Sequence, residues 1–221
     1  MQLRAENISR HYFRKTGEAN YFEAVRPVSL LLEGGKLTVL NGKSGSGKTT
    51  LLNMLAGLLL PTEGRVFLDD TDLYAMEDKA LSRFRSEKVG VVPQGRSAVD
   101  TLTVLENIIL PGILYGGKPR TEDAENWMEA LGILHLRNAM PAELSGGELR
   151  RMSIARTLTA NPEVILADEP TGDLDNDNTA VVLTAFRQAA QAGKTVLVVS
   201  HETDAEVYAD QVLHMENGAI R

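Results

Sequence analysis

Short apolar runs rich in β-branched residues recur along this chain and alternate with longer stretches of helical spacing. Residues 37–40, 89–92, 164–167 and 196–199 are apolar or small at successive positions, the pattern of strands buried on both faces. Residues 48–60 and 176–192 carry helical periodicity, and Gly193 stands where a helix of that length is capped. The alternation predicts an α/β architecture on a mainly parallel sheet. The opening segments 3–13 and 25–32 read as antiparallel strands instead. Near the end, residues 212–215 and 219–221 flank Asn217-Gly218, a two-residue hairpin signal. From Gln94 to Asn161 the strand pattern gives way to helical spacing, as in 121–131 and 149–158. The expected organisation is one domain over 1–221, with a core from 1–94 and 161–221 that includes an antiparallel β part, and a mostly helical subdomain inserted over 95–160.

Composition narrows the partners. At 221 residues the chain can bury a sizeable single core. A net charge of −7 argues against a broad nucleic-acid-binding surface, so no nucleic acid is expected. Without a cysteine there is no disulfide, thiolate metal site or cysteine nucleophile. The longest apolar stretch, 51–60, falls well short of the roughly 18 residues of a membrane-spanning helix. The first residues turn polar at once, so a soluble protein inside the cell is expected, with no appended domain after the last strand.

The chemistry begins with Gly42-Lys43-Ser44-Gly45-Ser46-Gly47-Lys48-Thr49, a complete P-loop pattern between an expected strand and an expected helix. Glycines let backbone N–H groups surround phosphate oxygens, Lys48 reaches the outer phosphates, and the Thr49 hydroxyl suits Mg²⁺. Residues 164–169 form an apolar run ending in Asp168-Glu169. Asp168 stands where a magnesium-holding acid belongs, and Glu169 where a base can meet an attacking water. A solvated acidic pair before Pro170 is the bland alternative, weakened by the P-loop. Leu144-Ser145-Gly146-Gly147-Glu148 has capping-box spacing, yet two glycines in a first helical turn cost about 1 kcal/mol each relative to alanine. A phosphate at that helix end is the natural reason for bare backbone. Gln94 and His201 each follow an expected strand.

Taken in order, these motifs resemble those of the ATP-binding-cassette (ABC) ATPases over essentially the whole chain. Residues 42–50, through Thr50, match Walker A, Gln94 the Q-loop glutamine, 144–148 the signature, 164–169 Walker B, 172–175 the D-loop and His201 the switch histidine. Residues 167–175 are similar to the subfamily that serves lipoprotein release, macrolide export, antimicrobial-peptide resistance and cell division. The resemblance implies the ABC ATPase fold, ATP and Mg²⁺ as cofactors, and a head-to-tail homodimer around two ATP molecules. Ser145 and Gly147 would then contact the γ-phosphate held by the other copy, with Gly146, Glu148 and Asp175 also among the nucleotide-binding residues. It further implies Glu169 as base, His201 and Lys48 at the γ-phosphate, Thr49, Gln94 and Asp168 at the metal, and Tyr12 as the adenine-stacking aromatic, with Phe13 or Tyr21 as alternatives. The implied partner is an integral-membrane permease, on whose cytoplasmic side the chain would sit. Rival readings are a non-transport ABC ATPase and a P-loop kinase or GTPase; the latter leaves Ser145-Gly146-Gly147 and His201 without a role. The chain departs from the family pattern at Pro93 before Gln94, at Glu148-Leu149-Arg150-Arg151 and at Gly172-Asp173.

Overall fold

In the computed structural model, which describes residues 1–13, 21–114, 117–172 and 174–221, the apolar runs lie side by side as a sheet. Its order is β10 (Ala219–Ile220), β9 (Gln211–Glu216), β3 (Leu37–Asn41), β8 (Thr195–Ser200), β7 (Val164–Asp168) and β6 (Val89–Val92). Neighbours from β9 to β6 run parallel, and only β10 returns antiparallel, through Asn217 (φ 49°) and Gly218 (φ 80°). Both turn residues take the positive φ that a type I′ hairpin needs. Every residue of β3, β7 and β8 is buried, as continuous apolar runs require.

The pleat divides these runs between two cores. Leu37, Val39, Ile165, Ala167, Val196 and Val198 face a cluster built with Met128, Met152 and Phe186. Leu40, Val164, Leu166, Leu197 and Val199 face the opposite cluster, shared with Leu3, Ile8, Leu32 and Leu51. The second cluster is closed by an antiparallel sheet of β2 (Tyr21–Glu33), β1 (Gln2–Phe13), β4 (Glu63–Leu68) and β5 (Thr71–Asp72), in that order. The first is covered by α3 (Val104–Leu114), α4 (Thr121–Ala130) and α5 (Gly146–Thr159), all between β6 and β7, and by α6 (Asn176–Gln191). Among the described residues, no strand lies between Val92 and Val164.

Two expectations need correction. The helix after the P-loop, α1, spans Lys48–Leu55 rather than 48–60, because Gly57 turns the chain at φ 70° and leaves Leu58 and Leu60 exposed. A further helix, α2 (Asp78–Lys88), carries so little apolar periodicity that only Leu81 is buried, and no helix was expected there. The side chain of Tyr21 and the whole of Asp173, both singled out above, lie outside the described residues. Among the described residues, no helix is long and apolar enough to cross a membrane.

Candidate active site

Parallel register carries the motifs to one edge of the sheet. Asn41 pairs with Ser200, Val199 with Asp168, and Ala167 with Val92. The residues that follow these strands, namely Gly42, His201, Glu169 and Gln94, therefore emerge together, where open α/β sheets hold ligands. The P-loop is pressed against its surroundings. A Cβ at Gly42 would stand 2.3 Å from the Met215 carbonyl oxygen, and one at Gly47 would stand 2.2 Å from that of Ala24. Gly47 also takes φ 105° as it opens α1, so both steric and torsional reasons demand glycine there. The buried Lys48 donates from Nζ to the carbonyls of Gly42 (2.6 Å) and Lys43 (3.0 Å). Burial pushes its amine below the ordinary value, against the pull of Glu169 and Asp168.

The loop opens onto a cleft of about 370 Å³ whose lining includes Ser44, Gly45, Gly47, Lys48, Thr49 and Thr50. Gln94, Glu169 and His201 line it as well, as do Phe22 and Ala24. Glu169 is the junction: Gln94 Nε2 donates to its Oε2 at 3.1 Å, and His201 Nδ1 lies 3.2 Å from its Oε1. Glu169 also takes a left-handed backbone, φ 47°, where a residue with a Cβ is strained. Its amide donates to Val199 O at 2.9 Å, continuing the ladder one residue past β7.

Asp168 is 3% exposed, and its Oδ1 has no hydrogen-bond partner. Burial raises its carboxyl above the ordinary value, while the hydrogen bond from the Thr49 side chain and the charge of Lys48 pull the other way. A buried carboxylate oxygen without a partner, next to a hydroxyl, is the oxygen-donor chemistry that Mg²⁺ takes, so these residues fit that ion. Gln94 reaches the same corner through Glu169.

Other expected residues lie elsewhere. Ser145 caps α5 in a full capping box: its hydroxyl accepts from Glu148 N (3.4 Å), and Glu148 Oε2 accepts from Ser145 N (2.8 Å) and Oγ (2.7 Å). Those bonds, the hydroxyl's foremost, hold the Glu148 carboxyl below its usual range. Ser145, Gly147 and Glu148 do not line the P-loop cleft. Gly146 lines a second one, of about 520 Å³, which shares Gln94 and Glu169 with the first. Asp175 caps α6, accepting from Asn178 N at 2.8 Å. Lys43 and Ser46 frame the loop, with Ser46 N donating to Lys43 O at 3.2 Å. Tyr12 is absent from the cleft lining; the Arg10 guanidinium lies 4.7 Å from its ring centroid. Its direct cross-strand partner Phe22 does line the cleft. Phe13 is exposed and also outside the lining. Sequence reading passed over Phe22 and assigned no role to Arg150, which donates to backbone carbonyls on two sides of the site.

Fold and site together define a P-loop nucleoside triphosphatase with its acids and switch residues on neighbouring parallel strands. Comparison narrows the class: residues 25–172 match the family model described as ABC transporter. The chain is 38% identical to the lipoprotein-releasing system ATP-binding protein LolD of Aquifex aeolicus, over 99% of this chain and 95% of that one. It is 34% identical to the ABC transporter ATP-binding protein YtrE of Bacillus subtilis, over 94% of this chain and 91% of that one. A dimeric ABC transporter cassette from Methanocaldococcus jannaschii superposes with a TM-score of 0.89 at 33% identity, covering 98% of this chain and 95% of that one. The same cassette has been solved in a post-hydrolysis dimer bound to ADP and Pi, again with a TM-score of 0.89, at 32% identity over 99% and 97% of the two chains. The chain belongs to the ABC transporter family, as one of its ATP-binding, ATP-hydrolysing cassettes.

Because Asp168 is an acid whose folded pKa is raised, the folded state holds its proton more tightly than the unfolded state. Stability therefore falls as pH rises above the ordinary value of 3.8 and through the raised folded value. Asp168→Asn should remove that slope and, in Mg²⁺-free buffer at neutral pH, raise the melting temperature by about 2–4 °C, the equivalent of ~1 kcal/mol in a chain of this size. Scanning calorimetry across pH checks it, and an unchanged or lower melting temperature for the variant would contradict it.

Proposed function

We propose that this chain is the motor subunit for a separately encoded integral-membrane permease, working at the cytoplasmic face of the cell membrane as an ATP-induced head-to-tail homodimer. The observation that carries this is the division of the site. Glu169, Gln94 and His201 share the P-loop cleft, whereas Ser145 and Gly147 are not part of its lining. A helix N-terminus with bare glycine backbone is suited to an anion, and a second copy would bring one to it. The resemblance to LolD and YtrE supports a transport role. In this reading residues 1–94 and 161–221 form the nucleotide-binding core, and 95–160 the helical subdomain that meets the permease.

The roles in this reading come from the motifs and agree with the geometry. Backbone N–H groups of residues 44–49 and the α1 N-terminus surround the phosphates, with Thr50 behind them, and Lys48 exchanges its two carbonyl partners for phosphate oxygens. Thr49 and Asp168, with Gln94, would hold Mg²⁺, which when bound offsets charge on the outer phosphates. Glu169 takes the proton of the attacking water, and His201 steadies the γ-phosphate. Glu148 orients Ser145, Gly146 and Gly147, and Asp175 holds the start of α6 beside the same interface. Phe22 supplies the apolar face for adenine, with Tyr12 next to it.

Three measurements test these assignments. Phe22→Ala should weaken ATP binding by about tenfold, the size of a lost base–aromatic stack, while Tyr12→Ala should change it less; the reverse order would return the platform to Tyr12. Glu169→Gln should bind ATP yet lose about 100-fold or more in kcat, and should run as a dimer in ATP on size-exclusion chromatography. Near-normal turnover would overturn the base assignment. Ser145→Arg should abolish hydrolysis with monomeric ATP binding intact, and a joint loss of both would place the signature's action within its own chain.

A further inference from the structure

We propose that Arg150 is a positioning residue for hydrolysis: its guanidinium locks the backbone on both sides of the Gln94–Glu169 contact and so sets where the Glu169 carboxylate points. The inference rests on Glu169 as the base. Arg150 Nη1 donates to Pro93 O at 2.5 Å, and Nη2 donates to Glu169 O at 2.5 Å and to Asp168 O at 3.4 Å. Pro93 immediately precedes Gln94, so one cation grips the peptide that leads into Gln94 and the main chain of Glu169, the two residues whose side chains meet at 3.1 Å. Three carbonyl oxygens converging from two strand ends repel one another. A planar cation with several donors at fixed angles satisfies them together, which a point-charge ammonium does less well.

The neighbourhood shows why this grip bears on position. The same helix holds the chain on either side of Pro93: Thr157 Oγ1 donates to Val91 O at 3.3 Å, and Arg156 Nη1 donates to Ser97 O at 2.7 Å. Helix and strand are in close contact there, since a Cβ on Gly90 would stand 2.7 Å from Thr157 Cγ2. Residues 94–96 therefore arch between fixed points, with Gly95 at φ 97° and nothing near its Cβ position. Pro93 O is the anchor immediately before Gln94, and it hangs on Arg150. On the other wall, Glu169 keeps its left-handed backbone, a conformation that persists only when its surroundings hold it. The guanidinium on Glu169 O is part of that hold. Arg150 is not needed to start α5, because Ser145 and Glu148 already cap it.

The test compares Arg150→Ala and Arg150→Lys with the unaltered chain and with Glu169→Gln, all as full-length protein. ATPase kcat and KM, ATP affinity and melting temperature are measured with and without sub-denaturing guanidinium chloride. Arg150→Ala should lose about 10–100-fold in kcat, with KM and affinity within about twofold, because a small misplacement of the base falls on turnover rather than binding. Lysine should restore little, whereas free guanidinium should recover part of the alanine variant's kcat and ethylammonium should not. Arg150→Ala turnover within about twofold of the unaltered chain would overturn the proposal. So would a lost kcat that guanidinium leaves unrestored, or one that falls in step with affinity and melting temperature. An active Glu169→Gln would instead overturn the base assignment, so the two failures are told apart.

Discussion

The register of four neighbouring parallel strands is the constraint on which the rest of this molecule depends. β3, β8, β7 and β6 pair without slippage, so Asn41, Ser200, Asp168 and Val92 end within two rungs of one another. A residue of the site follows each by one position or, after Val92, by two. Two main-chain bonds carry the ladder past the strand ends, from Gly42 N to Ser200 O at 3.3 Å and from Glu169 N to Val199 O at 2.9 Å. A one-residue slip of β8 would exchange Val196 and Val198 with Leu197 and Val199 between the two cores, and would carry His201 away from Glu169. Burial of both faces thus fixes the spacing of the catalytic groups. Core and active site are consequences of one pairing.

That dependence explains what the sequence disclosed. The strands, the P-loop, Asp168-Glu169 and the Ser145 capping box are local patterns, so their spacing alone marks them. Helix α1 was overextended because apolar residues continue through Leu60, although Gly57 had already turned the chain. Helix α2 left no trace because it buries only Leu81. Phe22 reaches the cleft through the pairing of β1 with β2, in which it stands opposite Tyr12, and no pattern within either strand shows that register. Arg150 was visible only as a departure after the signature. Its carbonyl partners lie 57, 18 and 19 residues away, a relation that periodicity does not record.

The local energetics distinguish the two halves of the proposed composite site. In the P-loop half, burial disfavours the ammonium of Lys48, which donates only to neutral carbonyls of its own loop, and the carboxylate of Asp168, whose Oδ1 has no partner. A polyanion and a hard cation are the ligands that relieve those two deficits, so the half-site is prepared for both before either arrives. The signature half shows the opposite condition. Ser145 and Glu148 satisfy each other, and that mutual bonding holds the Glu148 carboxyl below its usual range at the positive end of α5. That carboxylate engages Ser145 N and Oγ rather than the amides of Gly146 and Gly147, so in the proposed dimer an approaching phosphate meets a like charge beside the bare glycine backbone. One half therefore attracts its ligand by what it lacks. The other is internally bonded, and in the proposed dimer it is a second chain that brings the phosphate to it.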